Sequence, residues 1–390
     1  MRRVTLLIIV ALTVVGFSVV VASWNSDQAE RIDSAAGPSR LPPASSPSST
    51  TTTLPVPNSD GTLARLRTVT GDISPKSVVA SGRGQVFAQN MMYRHTVTVY
   101  DDNGDLVKTI PDTVDLAGFG IGGHPGISHG APVEAAFSPD GKKAYVSNYS
   151  MYGAGFGPEG TDDCRDGDGT DTSFVYRIDI ATLTIDTVIP VGSVPKYLAV
   201  SPDGHHLVVS NWCSFSASVV DLATNTEVKR ISLGPYPRGI AITPDSRTAY
   251  VAVMGTTDIA RIDLTSFGVS WISNVGSAPR HLALSPDGAS LYVTLNAEGR
   301  VAKIDPINGI VQTKVTTGSA PRSMAISTDG KHLYVVNYES STMTTLDAAS
   351  MAKTQDVQTG YHPIGITYDR ATGNVWVANY TGSIMIFGTP

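Results

Sequence analysis

Residues 195–204 read PKYLAVSPDG, and the motif returns as PRGIAITPDS at 237–246, PRHLALSPDG at 279–288 and PRSMAISTDG at 321–330. The opening prolines of these units, together with Pro363, are each 42 residues apart. Two further columns keep the same spacing: Asn211, Val253, Leu295, Asn337 and Asn379, then Asp221, Asp263, Asp305 and Asp347. Units with altered spacing begin at Pro75 and Pro132, so the chain contains seven copies of one unit.

Each unit follows the same order of strand and turn signals. A strand follows the proline, and a Pro-Asp-Gly turn ends it, because Pro fixes φ and Gly accepts a positive φ. The second strand of a unit is illustrated by residues 334–337, the third by residues 301–305 and the fourth by residues 311–316. Four short antiparallel strands in about 42 residues are typical of a propeller blade. The sequence predicts an all-β, seven-bladed β-propeller of four-stranded antiparallel blades.

The last unit contains only three strand patterns, at 363–368, 375–379 and 383–387. A fourth strand is available near the start of the repeat region, at residues 63–69. Pairing this N-terminal strand into the last blade would close the ring and remove an exposed sheet edge. The sequence therefore predicts closure by a strand from the opposite end of the domain.

The second strands carry a motif that resembles the YVTN family of β-propeller repeats. It reads Tyr145-Val-Ser-Asn148, Tyr334-Val-Val-Asn337 and Trp376-Val-Ala-Asn379, and it departs from the pattern at 250–253 and 292–295. The resemblance covers about residues 62–388. It implies a seven-bladed bacterial or archaeal surface protein outside the cytoplasm, and it transfers no catalytic residue. The fold hosts binding proteins, lactone hydrolases, lyases and redox enzymes.

The first 61 residues have a different composition from the repeats. Two arginines precede an apolar run at 4–22, which is long enough to cross a bilayer as a helix. We expect residues 1–25 to be a signal-anchor or a cleaved signal peptide, 26–61 a Pro/Ser/Thr-rich disordered linker and 62–390 the propeller. The expected location is extracytoplasmic: anchored to the cytoplasmic membrane by the N-terminal helix, or secreted if the segment is cleaved.

The charge balance bears on the class of partner, and the cysteine pattern bears on metal sites and on a disulfide. The net charge is −6, from 28 basic and 34 acidic residues, which gives no reason to expect nucleic acid. No CxxC, haem-attachment or zinc spacing surrounds the two cysteines. Cys164 and Cys213 should lie on loops of adjacent blades, on the same face. We therefore predict a disulfide between them in an oxidising compartment.

The residue after each opening proline forms a mostly basic column. Its members are Lys76, Val133, Lys196, Arg238, Arg280, Arg322 and Ile364. Five basic side chains in equivalent positions predict a partial cationic ring at the channel mouth on the top face, which is the face formed by the loops that enter the first strands. An anionic small molecule, glycan or protein would suit it. The alternative is a basic residue copied with its blade and now solvated.

The next column varies while the framework repeats, as Ser77, Glu134, Tyr197, Gly239, His281, Ser323 and Gly365. Glu134 and His281 are candidate acid/base groups beside the arginines, which could stabilise an oxyanion. Tyr197 is a candidate ligand-binding residue through its ring and hydroxyl. The alternative is that each side chain makes a local hydrogen bond at a strand end.

Two metal sites are conceivable on the same face. Histidines in blades one, two and seven could share a transition metal: His95, His124, His129 and His362. The insertion in blade two, about 150–172, is rich in Gly and carboxylates that could bind calcium: Asp162, Asp163, Asp166, Asp168 and Asp171. The alternatives are separate surface histidines and a solvated acidic loop.

The sequence contains no Walker loop. The favoured function is a monomeric ligand- or protein-binding module at the cell surface. One alternative is a propeller enzyme of the lactonase or lyase type that uses Glu134 or His281. A second alternative is a redox enzyme with a quinone cofactor.

Overall fold

The computed structural model describes residues 62–157, 164 and 170–389. The described chain begins with strand β1 (Ala64–Thr70). Blade one contains β2 (Ser77–Ala80), β3 (Val86–Asn90), β4 (Thr96–Tyr100) and β5 (Leu106–Pro111). A hairpin follows, made of β6 (Thr113–Asp115), the 3₁₀ helix Leu116–Phe119 and β7 (Ile127–His129). The predicted N-terminal segments 1–25 and 26–61 lie outside the described residues.

The remaining blades follow in chain order. Blade two contains β8 (Pro132–Phe137), β9 (Lys143–Asn148), β10 (Phe174–Asp179) and β11 (Thr184–Pro190). Blade three contains β12 (Pro195–Val200), β13 (His206–Asn211), β14 (Ser216–Asp221) and β15 (Thr226–Ser232). Blade four contains β16 (Pro237–Ile242), β17 (Thr248–Val253), β18 (Asp258–Asp263) and β19 (Val269–Ile272).

Blade five contains β20 (Pro279–Leu284), β21 (Leu291–Leu295), the 3₁₀ helix Asn296–Glu298, β22 (Arg300–Asp305) and β23 (Ile310–Thr316). Blade six contains β24 (Pro321–Ile326), β25 (His332–Asn337), β26 (Thr342–Asp347) and β27 (Lys353–Gln358). Blade seven contains β28 (Pro363–Tyr368), β29 (Val375–Asn379) and β30 (Ser383–Gly388). The seven blade sheets are all antiparallel, so the predicted all-β propeller is confirmed.

Strand β1 completes the last blade. It pairs with β30 in antiparallel register, with Thr68 opposite Met385 and Thr70 opposite Ser383. The sheet order of blade seven is β1, β30, β29, β28. The predicted closure by an N-terminal strand is therefore confirmed, and β30 does not present an open edge.

Apolar layers between adjacent blades hold the ring together. Val208 of blade three and Val251 of blade four belong to one buried cluster. Trp376 of blade seven packs in a cluster with Val86 of blade one, across the closure. Because both faces of each second and third strand are buried, these strands read as nearly continuous apolar runs. The clusters therefore fix the relative positions of the inner strands.

The recurring asparagine at the end of the second strand stabilises the turn into the third strand. Asn211 Nδ2 donates to the hydroxyls of Ser216 and Ser218 at 3.2 and 2.8 Å. Asn337 Nδ2 makes the equivalent bonds to Thr342 and Thr344 at 3.1 and 2.9 Å. The bonds hold the top-face loops in the same geometry in different blades, which explains why the motif repeats.

The hairpin β6–β7 was not predicted from the sequence. It occupies the connection between blades one and two, where the opening prolines Pro75 and Pro132 lie further apart than 42 residues. Within the described ranges, no helix combines the length and hydropathy needed to cross a membrane. The apolar run at 4–22 lies outside those ranges.

Candidate functional site

The side chains of the basic column converge on the central axis. A small cavity of about 20 Å³ is bounded by all five basic residues and by the acid/base candidates of the next column. Its lining consists of Lys76, Val133, Glu134, Lys196, Tyr197, Arg238, Arg280, His281, Arg322, Ser323 and Ile364. The inner strands β8, β12, β16, β20, β24 and β28 supply these residues, and Lys76 lies at the equivalent position immediately before β2. We call this set the basic ring cavity.

The basic residues are buried rather than solvated. Four of them, Lys76, Lys196, Arg280 and Arg322, have no more than 5% of their surface exposed. Arg238 is partly exposed. The alternative that the basic side chains of this column are solvated is therefore wrong, because four of the five are buried. Burial removes the screening that water gives to surface charges, so the charges act on each other and on any ligand more strongly.

Aromatic and thioether side chains lie against the basic groups. The guanidinium carbon of Arg322 lies 3.6 Å from the ring centroid of Tyr338. Lys196 Nζ lies 4.4 Å from the ring centroid of Tyr149 and 5.2 Å from that of Trp212. Cation–π attraction of this kind strengthens when the partners are desolvated. The aromatic layer thus stabilises cations that would otherwise be costly to bury.

This aromatic layer was missed by the sequence analysis, although the sequence contains a signal for it. The residues come directly after the second strand, one position beyond the Asn column. The column reads Met91, Tyr149, Trp212, Met254, Asn296, Tyr338 and Tyr380. Arg280 Nη1 contacts Met254 Sδ at 3.8 Å, and Arg238 lies 5.6 Å from the Trp212 ring centroid. A large side chain at this position therefore covers the basic residue of its own or the next blade.

A second cavity of about 220 Å³ extends from the basic ring along the inner strands β24 and β28. Its polar lining includes Ser77, Glu134, Tyr197, His281 and Ser323. Glycine is required on its wall, since a Cβ at Gly365 would lie 2.7 Å from Ser77 Cα. We call this space the channel cavity. Together the two cavities bring the basic column and the acid/base column of the sequence into one site.

Glu134 is positioned to gain or lose a proton near neutral pH. Burial raises the pKa of its carboxyl to about 7, although the Ala135 N–H, the Ser77 hydroxyl and the charge of Arg238 favour the carboxylate. The Ala135 N–H donates to Glu134 Oε1 at 3.2 Å. A carboxyl with such a pKa can act as a general acid or base, or stay neutral beside an anion.

His281 cannot supply a proton near neutrality. Burial, reinforced by the charges of Arg280 and Arg238, lowers the pKa of its imidazole to about 3. The Met324 N–H donates to Nδ1 at 3.4 Å, so Nε2 carries the hydrogen and donates to the Tyr197 hydroxyl at 3.2 Å. Burial raises the pKa of Tyr197, so its hydroxyl remains neutral. His281 is thus a neutral hydrogen-bonding group that orients Tyr197, and of the two acid/base candidates only Glu134 titrates near neutrality.

The four histidines proposed as metal ligands do not form one site. His124 stacks on Phe156 with ring centroids 3.9 Å apart. His362 stacks on Tyr338 at 4.0 Å. His95 and His129 share one described neighbour, the buried Asp112. No group of three or more His, Cys, Asp or Glu side chains in the described part of the chain could hold a metal ion. The four-histidine prediction is wrong because the loops that carry them pack into separate aromatic contacts.

The calcium prediction falls largely outside the described residues, which exclude Asp162, Asp163, Asp166 and Asp168. Asp171 is described and exposed, and its Oδ2 accepts a hydrogen bond from the Gly157 N–H at 2.6 Å. Calcium binding by this insertion stays a prediction.

The disulfide between Cys164 and Cys213 is confirmed, with Cα atoms 5.0 Å apart. Cys164 is buried in a cluster with Tyr149, Trp212 and Tyr236. The bond therefore attaches a residue of the blade-two insertion directly beside the aromatic layer.

Residues 207–387 match the family model of YNCE-like beta-propellers. Over these residues the chain is similar to YVTN-type repeat propellers. The second-strand motif and the seven described blades agree with that match. In a search of curated proteins, none matched the chain. Among solved structures, Kuenenia stuttgartiensis hydrazine synthase is similar, with 19% sequence identity and a TM-score of 0.64 over 82% of this chain and 97% of that one. At this identity the likeness shows the propeller fold alone.

Proposed function

We propose that this propeller is a binding module that takes a carboxylate-bearing ligand at the centre of its top face. The observation that carries the proposal is the convergence of five basic side chains, four of them buried, on one cavity. In this account the protein is exported and tethered by its N-terminal apolar segment, and the propeller presents the site outside the cytoplasmic membrane.

Charge in the site favours an anion. Five cationic groups line the basic ring cavity, and Glu134 is the one carboxyl that the described residues contribute to its lining. Because burial raises the pKa of Glu134 to about 7, that carboxyl is only partly ionised near neutrality. Low-dielectric walls focus the field of the cationic groups on the axis. Arginine and lysine would bind a carboxylate through charge-assisted hydrogen bonds.

The volume of the two cavities limits the size of the ligand. The basic ring cavity holds about 20 Å³ and the channel cavity about 220 Å³. A carboxylate group fits beside the basic residues, with a small polar body in the channel against Tyr197, Ser323 and the neutral His281. A small organic acid satisfies this shape, and so does the acidic end of a glycan or protein. We favour the small acid, because the channel cavity would enclose most of it.

A thermal-shift panel tests the proposal on the purified propeller, residues 62–390. The ligands are acetate, malate, citrate, glucuronate and digalacturonate, with sulfate as a non-carboxylate anion. We expect at least one carboxylate to raise the melting temperature more than sulfate does, because only ligands that bind the folded state stabilise it. The same panel on Arg238→Gln should give a smaller shift, and on Lys229→Gln, an exposed lysine of β15, an unchanged one. Equal shifts in all three proteins would refute the site.

A second candidate function is supported by one observation, the raised pKa of Glu134. An enzyme of the lactone hydrolase or lyase type could use this carboxyl as its general acid or base, with the arginines stabilising an oxyanion. The test is turnover of a lactone panel by the wild type and by Glu134→Gln. Activity that is lost in Glu134→Gln, and that in the wild type rises through about pH 7 for a general base or falls through it for a general acid, would favour the enzyme. Binding of the acid without turnover would favour the module.

A further inference from the structure

A third cavity, of about 720 Å³, lies between blades six and seven, beside the turn that joins β24 to β25. The first and last described residues, Thr62 and Thr389, both line it, and so do Tyr334, Thr345 and Tyr368. None of these five residues lines the basic ring cavity, so the inference below does not rest on the proposed function. We call this space the closure cavity.

In the two preceding pairs of blades, a turn of the next blade occupies the equivalent place. The Tyr250 hydroxyl of blade four donates to the Pro306 carbonyl oxygen of blade five at 3.3 Å. The Tyr292 hydroxyl of blade five donates to the Ala348 carbonyl oxygen of blade six at 2.8 Å. Tyr334 is the next member of this column, 42 residues further on. Its expected partner would be the turn between the third and fourth strands of blade seven, but the fourth strand there is β1, from the other end of the domain.

Two buried side chains of the closure cavity therefore have hydroxyls without a described partner. Tyr334 and Thr345 are each 6% exposed. Within the described ranges, Thr345 Oγ1 makes no hydrogen bond, and no residue accepts a hydrogen bond from the Tyr334 hydroxyl. Burial raises the pKa of Tyr334 to about 12, so its hydroxyl keeps the proton and can donate. Because buried polar groups are usually paired, the two hydroxyls point to a ligand with hydrogen-bond acceptors.

The chain enters the propeller at the wall of this cavity. The Leu63 N–H donates to Gln355 Oε1 at 3.1 Å, and Gln355 Nε2 donates to the Leu63 carbonyl oxygen at 2.9 Å. This amide holds the backbone of Leu63 as a neighbouring strand would. The rings of Tyr334 and Tyr368 lie parallel, with centroids 6.0 Å apart. The segment that precedes Thr62 therefore begins beside two aromatic rings and two hydroxyls.

We propose that the segment Leu54-Pro-Val-Pro57 of this chain docks in the closure cavity, where the carbonyl oxygen of Pro55 accepts a hydrogen bond from the Tyr334 hydroxyl. Pro55 would then take the role that Pro306 has opposite Tyr250. Aromatic grooves bind proline-containing segments well, because the extended polyproline conformation is already formed before binding and little entropy is lost.

The sequence of the segment matches the turn that it would replace. Pro55-Val56 and Pro306-Ile307 are both a proline followed by a β-branched residue. Between the segment and Thr62 lies Asn58-Ser-Asp-Gly61, which is composed of turn-forming residues and allows the chain to reverse direction. Docking would attach the N-terminal part of the chain to the end of the blades opposite the opening prolines.

Hydrogen–deuterium exchange, measured by mass spectrometry, tests the docking on the full chain in detergent micelles. We expect residues 54–61 to exchange at least tenfold more slowly than residues 44–53 of the same linker. Tyr334→Phe removes only the hydroxyl and should reduce this protection about five- to tenfold, because one hydrogen bond is lost. Tyr292→Phe is the matched control, since Tyr292 makes the equivalent bond in the preceding pair of blades, and it should leave the protection unchanged.

Variants of the segment separate docking from folding of the propeller. Pro55→Gly/Pro57→Gly should remove the protection, because glycine does not favour the extended conformation. Pro42→Gly/Pro43→Gly, earlier in the linker, should keep it. Circular dichroism melts show whether each variant is folded.

The proposal is overturned if residues 54–61 of the wild type exchange as fast as residues 44–53, or if Tyr334→Phe and Tyr292→Phe protect them equally. It is also overturned if protection increases with protein concentration, which would mean that a second copy supplies the segment. Protection that appears only after deletion of Pro390 would make residue 390 the occupant and would overturn it as well.

Discussion

The imidazole Nε2 of His281 in blade five donates to the hydroxyl of Tyr197 in blade three, at 3.2 Å, past the inner strand of blade four. Gly239 makes this possible, since a Cβ there would lie 2.7 Å from the His281 Cα. The contact joins two blades that are not neighbours, so the polar wall of the channel is one connected unit. The contact also holds the imidazole as a neutral hydrogen-bond donor, so the direction of this hydrogen bond in the channel wall is fixed.

Glu134 should make the stability of the protein fall as pH rises from about 4.5 to about 7. Its pKa is raised from 4.5 to about 7 by burial, so in that window the folded protein keeps a proton that the unfolded chain releases. The unfolding free energy of the wild type, measured relative to Glu134→Gln, should therefore drop by about 2–3 kcal/mol across the window. Urea melts of both proteins at half-unit pH steps measure it. A difference that stays constant or grows with pH contradicts the burial of this carboxyl.

Arg322 should contribute to stability as well as to ligand binding. Its side chain is fully buried and its guanidinium lies 3.6 Å from the Tyr338 ring centroid. We expect Arg322→Ala to lower the unfolding free energy by about 1–3 kcal/mol, because it removes the cation–π contact and leaves a void. Lys229→Ala, at an exposed position, should change it by less than about 0.5 kcal/mol. Equal denaturation midpoints for the two variants would show that the basic ring is solvated.

Strand β1 should be required for a closed ring. Removing residues 1–70 takes away the partner of β30 and exposes its backbone donors and acceptors. Removing residues 1–61 leaves that pairing intact. We expect the longer truncation to melt at a much lower temperature and with lower cooperativity, and to aggregate. Differential scanning calorimetry of the two truncations gives the answer, and coincident transitions would contradict closure by β1.

The disulfide should stabilise the blade-two insertion against unfolding. It joins residues 49 apart, so its loss should cost about 4 kcal/mol on the chain-entropy account. Dithiothreitol should lower the melting temperature of the wild type to that of the double variant Cys164→Ser/Cys213→Ser. The double variant itself should not respond to the reductant. A wild-type melting curve that reduction does not move would show that the bond makes no contribution.

The periodic columns predicted the parts of the structure that repeat. The 42-residue spacing predicted seven blades, the closing strand and the register that brings Lys196, Arg238, Arg280 and Arg322 to equivalent places. Their burial could not be predicted from that period, because it depends on how Trp212 and Tyr338 pack across the top face. The aromatic column could be found in the sequence, but the sequence did not indicate that its side chains pack against the basic column.

The non-repeating parts could not be predicted. The hairpin β6–β7 lies in one irregular connection, and its strands of three residues each are too short for a periodic signal. As a result Asp112, which lies between His95 and His129, had no sequence signature. The same hairpin places His129 near Asp112 and His95, which the order of these residues in the chain does not indicate.

Isothermal titration calorimetry measures whether the basic ring cavity binds an anion. The acid with the largest thermal shift is titrated into the wild type, Arg238→Gln and Lys229→Gln at low and high salt. We expect Arg238→Gln to lose about 1–3 kcal/mol of binding free energy, since Arg238 lines the cavity, and Lys229→Gln to bind as the wild type does. Binding that is equally tight in all three proteins would contradict anion binding in the basic ring cavity.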